Sequence, residues 1–350
     1  MATTLLTLEA LANAFLTCKE IEGRSPTTVS WYRDILARFC RYVDETLPGT
    51  TVADVGLAEA RAFIHYLQTG TERWQYHPAV KTRGSLGPNT IRGYVRTIKV
   101  FFNWLADESY IETSPMRRLR QPRAPHKIIQ TFSREQVTAM VSSMNLEWPT
   151  GYRSYLIVLL FLDTGLRLSE AAGLQMSDID LSNSKLRVTG KGAKERVVPF
   201  GKQTRLALYR YLQHFRYRPL SEYENFLFTT ISGTPLRPAA IQTMVRRLKS
   251  SAGITDVRCS PHTFRHTFAK SYLLNGGDVF SLQRILGHTS LEMVRLYVNL
   301  VDSDVSDLYR EHSPIDHLMA SSRAQLTEER LTNLISSLPT PSRRFGRGQP

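Results

Sequence analysis

Lys185-Leu186-Arg187-Val188 and Arg196-Val197-Val198-Pro199, joined by Thr189-Gly190-Lys191-Gly192-Ala193-Lys194, read as two short strands about a glycine-bearing turn. The pattern on both sides of this hairpin is helical. Upstream, Ser133-Arg134-Glu135-Gln136 has the form of a capping box, and Tyr155 to Leu162 is a strongly apolar run that suits a buried helix. Downstream, helices are expected near 203–216, 238–251 (with Pro238 in the first turn), 263–275, 279–286 and 290–299. A small antiparallel hairpin therefore interrupts a mostly helical domain, expected over 131–320.

A second, all-helical domain is expected over 1–116. Ser25 and Pro26 offer an N-cap and a first-turn proline, after which Val29, Tyr32, Leu36, Phe39 and Val43 recur at helix spacing. A further helix starts at Gly87-Pro88-Asn89-Thr90, with Ile91, Val95, Ile98, Phe102 and Leu105 on one face. Arg92, Arg96, Lys99 and Asn103 lie on another, a basic stripe that is either a solvated face or a phosphate-binding one. Residues 70–87 lack periodicity and read as a loop, and 117–130, rich in arginine with Pro122 and Pro125, as a basic extended linker. The tail over 321–350 reads as partly disordered.

The chain has 350 residues, 42% of them hydrophobic, with 15 Tyr and 15 Phe, enough for more than one core. Its 45 Lys and Arg against 31 Asp and Glu leave a net charge of +14, which points to a polyanionic partner, nucleic acid before an anionic surface. Cys18, Cys40 and Cys259 have no CxxC spacing, so neither a disulfide framework nor a cysteine zinc site is expected. No stretch approaches the roughly 18 apolar residues of a membrane span, and the start lacks the form of a signal peptide. A soluble, cytoplasmic protein is expected.

Four segments of the second domain carry candidate chemistry. They are Asp163-Thr164-Gly165-Leu166-Arg167-Leu168-Ser169-Glu170, the hairpin turn with Lys191, Ser260-Pro261-His262-Thr263-Phe264-Arg265-His266, and Leu286-Gly287-His288 with Tyr297 beyond it. Each has an ordinary reading by itself. Arg167 suits an ion pair, with Glu170 as its partner; His262, His266 and His288 suit structural histidines; Tyr297, near Leu291, Val294 and Val298, suits a core tyrosine. His262 and Arg265, three apart behind Ser260-Pro261, also share a helical face near an N-terminus and can address one anion. Together, two arginines, a lysine, two histidines and a tyrosine supply phosphate donors and an oxygen nucleophile without a carboxylate cluster to hold metals, a set suited to metal-free phosphoryl transfer.

In this order and spacing, Arg167, Lys191, His262-Thr263-Phe264-Arg265, Leu286-Gly287-His288 and Tyr297 resemble the catalytic signature of the tyrosine recombinase/integrase family. The flanking words Thr164-Gly165-Leu166-Arg167-Leu168-Ser169-Glu170 and Gly190-Lys191-Gly192-Ala193-Lys194-Glu195-Arg196-Val197-Val198-Pro199 resemble its Xer-type members. The resemblance covers essentially the whole second domain, and the first is similar in kind to the family's helical core-binding domain.

The resemblance implies a site-specific DNA recombinase in which Tyr297 attacks a scissile phosphate, leaving a 3′-phosphotyrosyl link that a 5′-hydroxyl later resolves through strand exchange. It implies Arg167, Arg265 and His288 as stabilisers of the phosphorane charge, Lys191 as the acid for the departing 5′-oxygen, His262 as the proton acceptor of Tyr297, and Glu170 as a residue that orients the site. No cofactor, ATP or metal is implied.

The implied partner is double-stranded DNA with inverted-repeat core sites, contacted by Arg92, Arg96 and Lys99. It would be held by a homotetramer, two protomers per site, with residues 301–320 docking in trans and an accessory protein as a further partner. No membrane partner is implied. Because the helices begin so near the first residue, no added arm-binding domain is expected. The type IB topoisomerases and a non-catalytic DNA-binding regulator on the same fold are the competing readings; the Xer-like wording and the undamaged set of six residues count against them. The 70–87 loop points to a mobile-element member.

Overall fold

The computed structural model describes residues 7–70, 85–123, 129–190, 194–287, 291–301 and 309. The chain divides into two units, Met1–Lys127 and Ile128–Pro350.

The first unit contains α1 (Leu8–Ile21), α2 (Pro26–Thr46), α3 (Leu57–Thr69) and α4 (Pro88–Asp107). Ser25 caps α2 as its spelling predicts, its side chain accepting from the Thr28 amide at 3.3 Å with Pro26 in the first turn. The apolar faces of α2 and α4 are buried along with Phe15 of α1 and Phe63 of α3, in a core of interlocked rings. Phe15 meets Phe101 edge-on at 5.5 Å and Phe39 meets Phe63 at 5.1 Å. Gly93 lets α4 lie against Trp31, since a Cβ there would sit 2.8 Å from the indole.

A short turn, Pro115–Arg118, runs into the start of the stretch expected as linker over 117–130, and its Met116 is buried with Leu119 in this core. Two members of the basic stripe hold that segment. Lys99 donates to the Leu119 carbonyl at 3.2 Å and Arg92 Nε to Gln121 at 3.4 Å, while Arg96 is exposed. The 70–87 loop lies mostly, and the tail wholly, outside the described residues.

The second unit contains α5 (Arg134–Ser142), α6 (Pro149–Thr164), α7 (Leu168–Ala172), β1 (Ile179–Asp180), β2 (Lys185–Thr189), β3 (Glu195–Pro199), α8 (Lys202–Arg210), α9 (Pro238–Ser251), α10 (Pro261–Leu274), α11 (Val279–Leu286) and α12 (Glu292–Val301). The fold is mainly helical with one small antiparallel sheet, ordered β1-β2-β3 among the described residues. β1 is two residues long, too short to leave an alternation in the sequence. The capping box forms at α5, with reciprocal Ser133 and Gln136 bonds. The helix expected over 203–216 widens after Arg210 into one broad turn, Tyr211–Phe215, around the fully buried Tyr211.

α6 is the central pillar: Leu156, Ile157, Val158, Leu160 and Phe161 are all buried, and Phe161 stacks on Phe264 of α10 at 5.8 Å. The hairpin pairs Leu186 with Val198 and Val188 with Arg196. Alternation on the buried Leu186, Val188 and Val198 thus turns Arg196 inward. A smaller core of Phe268, Ala269, Leu273, Leu282, Leu286, Val294 and Tyr297 fastens α12 to α10 and α11. Among the described residues no helix is long and apolar enough to cross a membrane.

Candidate active site

The site begins where α6 ends. Gly165 takes the left-handed conformation, φ +61°, and a Cβ there would lie 2.5 Å from Phe268 and 2.8 Å from Leu286. Both the backbone and the packing therefore require glycine. The turn delivers Arg167 to the start of α7 and leaves the Gly165 carbonyl pointing at Arg265. That guanidinium is 4% exposed and donates 2.6 Å bonds to the carbonyls of Gly165 and Leu286, the ends of α6 and α11. Two helix C-termini thus present their negative ends to one buried cation. Burial, then the charge of Arg167, lowers Arg265 to about 10, which leaves it charged at neutral pH.

Glu170 ties the arginines together. Its carboxylate accepts from Arg196 through both oxygens at 2.8 Å, from Arg167 Nη1 at 2.7 Å and from the Arg167 amide at 2.8 Å. Arg196, which comes from the hairpin, also donates to the Ile285 carbonyl at 2.7 Å, so it joins β3, α7 and the end of α11. Burial acts to raise the Glu170 carboxyl, but the bonds from Arg196 and from the Arg167 amide outweigh it and hold it at about 2. Arg167, Arg196 and Arg265 carry three positive charges against the one negative charge of Glu170, a local excess suited to an anion.

A folded-state pKa below the ordinary carboxylate value means that Glu170 stabilises the fold above that value and ceases to as pH falls. The drop from 4.5 to about 2 corresponds to about 3 kcal/mol, fully present at neutral pH and lost between those two pH values. Glu170→Gln should therefore unfold at lower denaturant at pH 7 and show a flatter stability curve from pH 5 to pH 3 than the parent. An equally steep curve in the variant would assign the acid sensitivity to other carboxyls.

α10 supplies the remaining groups. Ser260 caps it, accepting from the Thr263 amide at 3.2 Å, and this sets His262, Arg265 and His266 on its first turns. His262 is exposed; burial of part of its ring, then Arg265, Arg258 and Arg167, lower its pKa below the ordinary histidine range. Tyr297 on α12 is 3% exposed, its ring within the small core as the ordinary reading expects. Its hydroxyl is nevertheless bonded, 3.0 Å from His266 Nδ1, with the two rings tilted by 49°. Burial pushes the phenol up, opposed by the positive charge of Arg265 and then of Arg167.

The structure therefore brings together Arg167, Glu170, Arg265 and Tyr297, with His262 on the same turn of α10 as Arg265. Lys191 and His288 lie outside the described residues. Their neighbours reach the cluster: the Gly190 amide closes the hairpin turn on the Lys194 carbonyl at 2.8 Å, and a Cβ at Gly190 would stand 3.8 Å from Glu170 Oε1. The Gly287 carbonyl accepts from Arg167 Nη2 at 3.4 Å. Sequence reasoning missed Arg196, whose signal was a charge at an inward strand position, and read His266 only as a structural histidine.

The phage integrase family model matches residues 130–303. Tyrosine recombinase XerC of Oceanobacillus iheyensis is 29% identical over 312 residues, 88% of this chain and 97% of its own length. Tyrosine recombinase XerD of Staphylococcus saprophyticus is 32% identical over 222 residues, 63% of this chain and 75% of its own. The crystal structure of XerH site-specific recombinase bound to palindromic difH substrate, a post-cleavage complex, superposes with a TM-score of 0.65 at 21% identity, covering 89% of this chain and 85% of that one.

Proposed function

The chain belongs to the phage integrase family, as a site-specific DNA recombinase of the tyrosine type, and from that premise we propose that Tyr297 is the nucleophile of its strand cleavage. The observation that carries this reading is the Tyr297 hydroxyl, bonded to His266 and influenced by the charges of Arg265 and Arg167. In the proposed step the phenolic oxygen bonds to phosphorus, the bond to the 5′-oxygen breaks, and the strand is left joined to the enzyme as a 3′-phosphotyrosine. The 5′-hydroxyl of a partner strand then attacks, releasing Tyr297. The phosphodiester bond energy is retained in the tyrosyl link.

Arg167 and Arg265 present planar forks to the non-bridging oxygens, joined by His288. His262, which the resemblance implies as the proton acceptor of Tyr297, is given a phosphate-facing place at the exposed lip of α10 instead, because the imidazole bonded to the Tyr297 hydroxyl is that of His266. Such donors stabilise the charge that develops on the phosphorane, each typically by about 3 kcal/mol, roughly a hundredfold in rate. Glu170, itself braced by Arg196, holds the Arg167 fork in place, and the Gly165 and Leu286 carbonyls hold that of Arg265. Lys191 protonates the departing 5′-oxygen, which an ammonium can do where a guanidinium cannot. Lys191→Ala should slow cleavage of ordinary DNA by about a hundredfold or more. It should largely recover on DNA whose 5′-bridging oxygen is sulfur, a leaving group that departs without a proton. Failure to recover would remove Lys191 from the acid role.

The DNA is proposed to carry inverted repeats about a short spacer, each site binding two protomers and the synapse four, with residues 301–320 docking in trans. Arg96 and the rest of the α4 stripe contact the backbone. The test is covalent capture. Purified protein is incubated with fragmented source-genome DNA in EDTA and denatured in detergent, and the attached DNA is sequenced. A discrete set of retained sequences is expected. Retention of none, under conditions where the protein binds DNA, would overturn the reading.

A further inference from the structure

We propose that His266, through Nδ1, accepts the Tyr297 proton as the hydroxyl attacks and returns it when the phosphotyrosyl bond is resolved. The inference rests on the reading of Tyr297 as nucleophile.

The contact is direct, 3.0 Å, and is built from rigid parts. Tyr297 and Val294 of α12 pack on Phe268, Ala269 and Leu273 of α10, so the hydroxyl is positioned by the same helix that carries His266. With Tyr297 at 3% exposure, bulk water has little access to its hydroxyl, and the proton needs a protein acceptor.

An imidazole is available there in its basic form. Burial first, then His262 and Arg265 on the same helix, lower the pKa of His266 below the ordinary histidine value. The ring is therefore neutral at pH 7, and Nδ1 accepts when the ring proton sits on Nε2. The charged groups about the pair are His262 and Arg265 on α10, Tyr297 on α12 and, through Tyr297, Arg167 at the start of α7.

Burial, His262 and Arg265 disfavour an imidazolium in the DNA-free protein. A bound phosphodiester brings the negative charge that offsets them, and the phenol becomes more acidic as its oxygen bonds to phosphorus. Transfer is thus coupled to substrate. The proton moves from the Tyr297 oxygen to Nδ1, the oxygen's electron pair forms the bond to phosphorus, and the 5′-oxygen leaves with a proton from its own acid. In the reverse step the imidazolium proton returns to the phenolate oxygen.

The test uses full-length protein and a nicked duplex carrying a captured sequence, so that cleavage is a single turnover. Wild type should lose rate as the pH falls, through an acid limb that follows protonation of this imidazole. His266→Asn keeps a polar atom near the Nδ1 position but cannot titrate. It should cleave about a hundredfold more slowly at pH 7.5, and that acid limb should be gone. Wild-type rates in His266→Asn, or a slow reaction with the limb retained, would overturn the proposal. Absence of adduct with wild type on bound DNA would overturn the recombinase reading and this inference with it, a distinguishable failure. A second readout needs no cleavage: nitrogen-15 spectra of histidine-labelled, DNA-free protein should show His266 protonated on Nε2, with an Nδ1 signal that moves in Tyr297→Phe. Protonation on Nδ1 would equally overturn it.

Discussion

Tyr297→Phe should reduce detergent-resistant attachment of DNA to background, a loss on the order of 10⁴-fold or more, while DNA binding stays within a few-fold of wild type. The asymmetry follows from where the hydroxyl sits. The ring is 3% exposed and fills the small core between α10, α11 and α12, which phenylalanine fills equally well. What disappears is one oxygen with its bonds to His266 and Arg265, a change worth on the order of 1–3 kcal/mol of stability. The binding determinants proposed here, the arginine forks and the α4 stripe, do not include that oxygen. Both properties are measured on one captured DNA sequence, binding by gel shift and attachment by detergent gel. Adduct persisting in Tyr297→Phe would mean that another side chain is the nucleophile. Equal loss of binding and attachment would instead mean that the hydroxyl holds the site together.

The features legible in the sequence were those encoded locally. The capping box at Ser133, the apolar run of α6, the alternation of β2 and β3 and the Ser260-Pro261 start of α10 each announce themselves within a few residues, and all four formed. The family was legible as well, from the order and spacing of six polar residues. What stayed hidden depends on partners remote in sequence. Arg196 faces inward by its strand position, but its partners, the Glu170 carboxylate and the Ile285 carbonyl, lie 26 and 89 residues away. His266 looked structural because its partner, Tyr297, is 31 residues on. The basic stripe of α4 is similar: its spacing was evident, but not that Lys99 and Arg92 are engaged by Leu119 and Gln121.

Arg265 should separate the architecture of the site from its chemistry. Arg265→Ala leaves the carbonyls of Gly165 and Leu286 buried without their donor, at about 1–3 kcal/mol each, and empties the space the guanidinium filled. The fold of the second unit should weaken by several kcal/mol, so a dead Ala variant alone would be ambiguous. Arg265→Lys resolves this. Its ammonium keeps the charge between the two helix ends and can donate to either carbonyl, so most of the stability should return. It cannot form the planar fork that spans both carbonyls while facing a phosphate, so cleavage should remain at least a hundredfold below wild type. Denaturant unfolding and single-turnover cleavage of the same preparations give the two numbers. If Lys restores stability but not rate, the guanidinium geometry acts on the transition state. If Lys restores both, the role of Arg265 is to brace the ends of α6 and α11, and phosphate stabilisation passes to Arg167 and the residues around it.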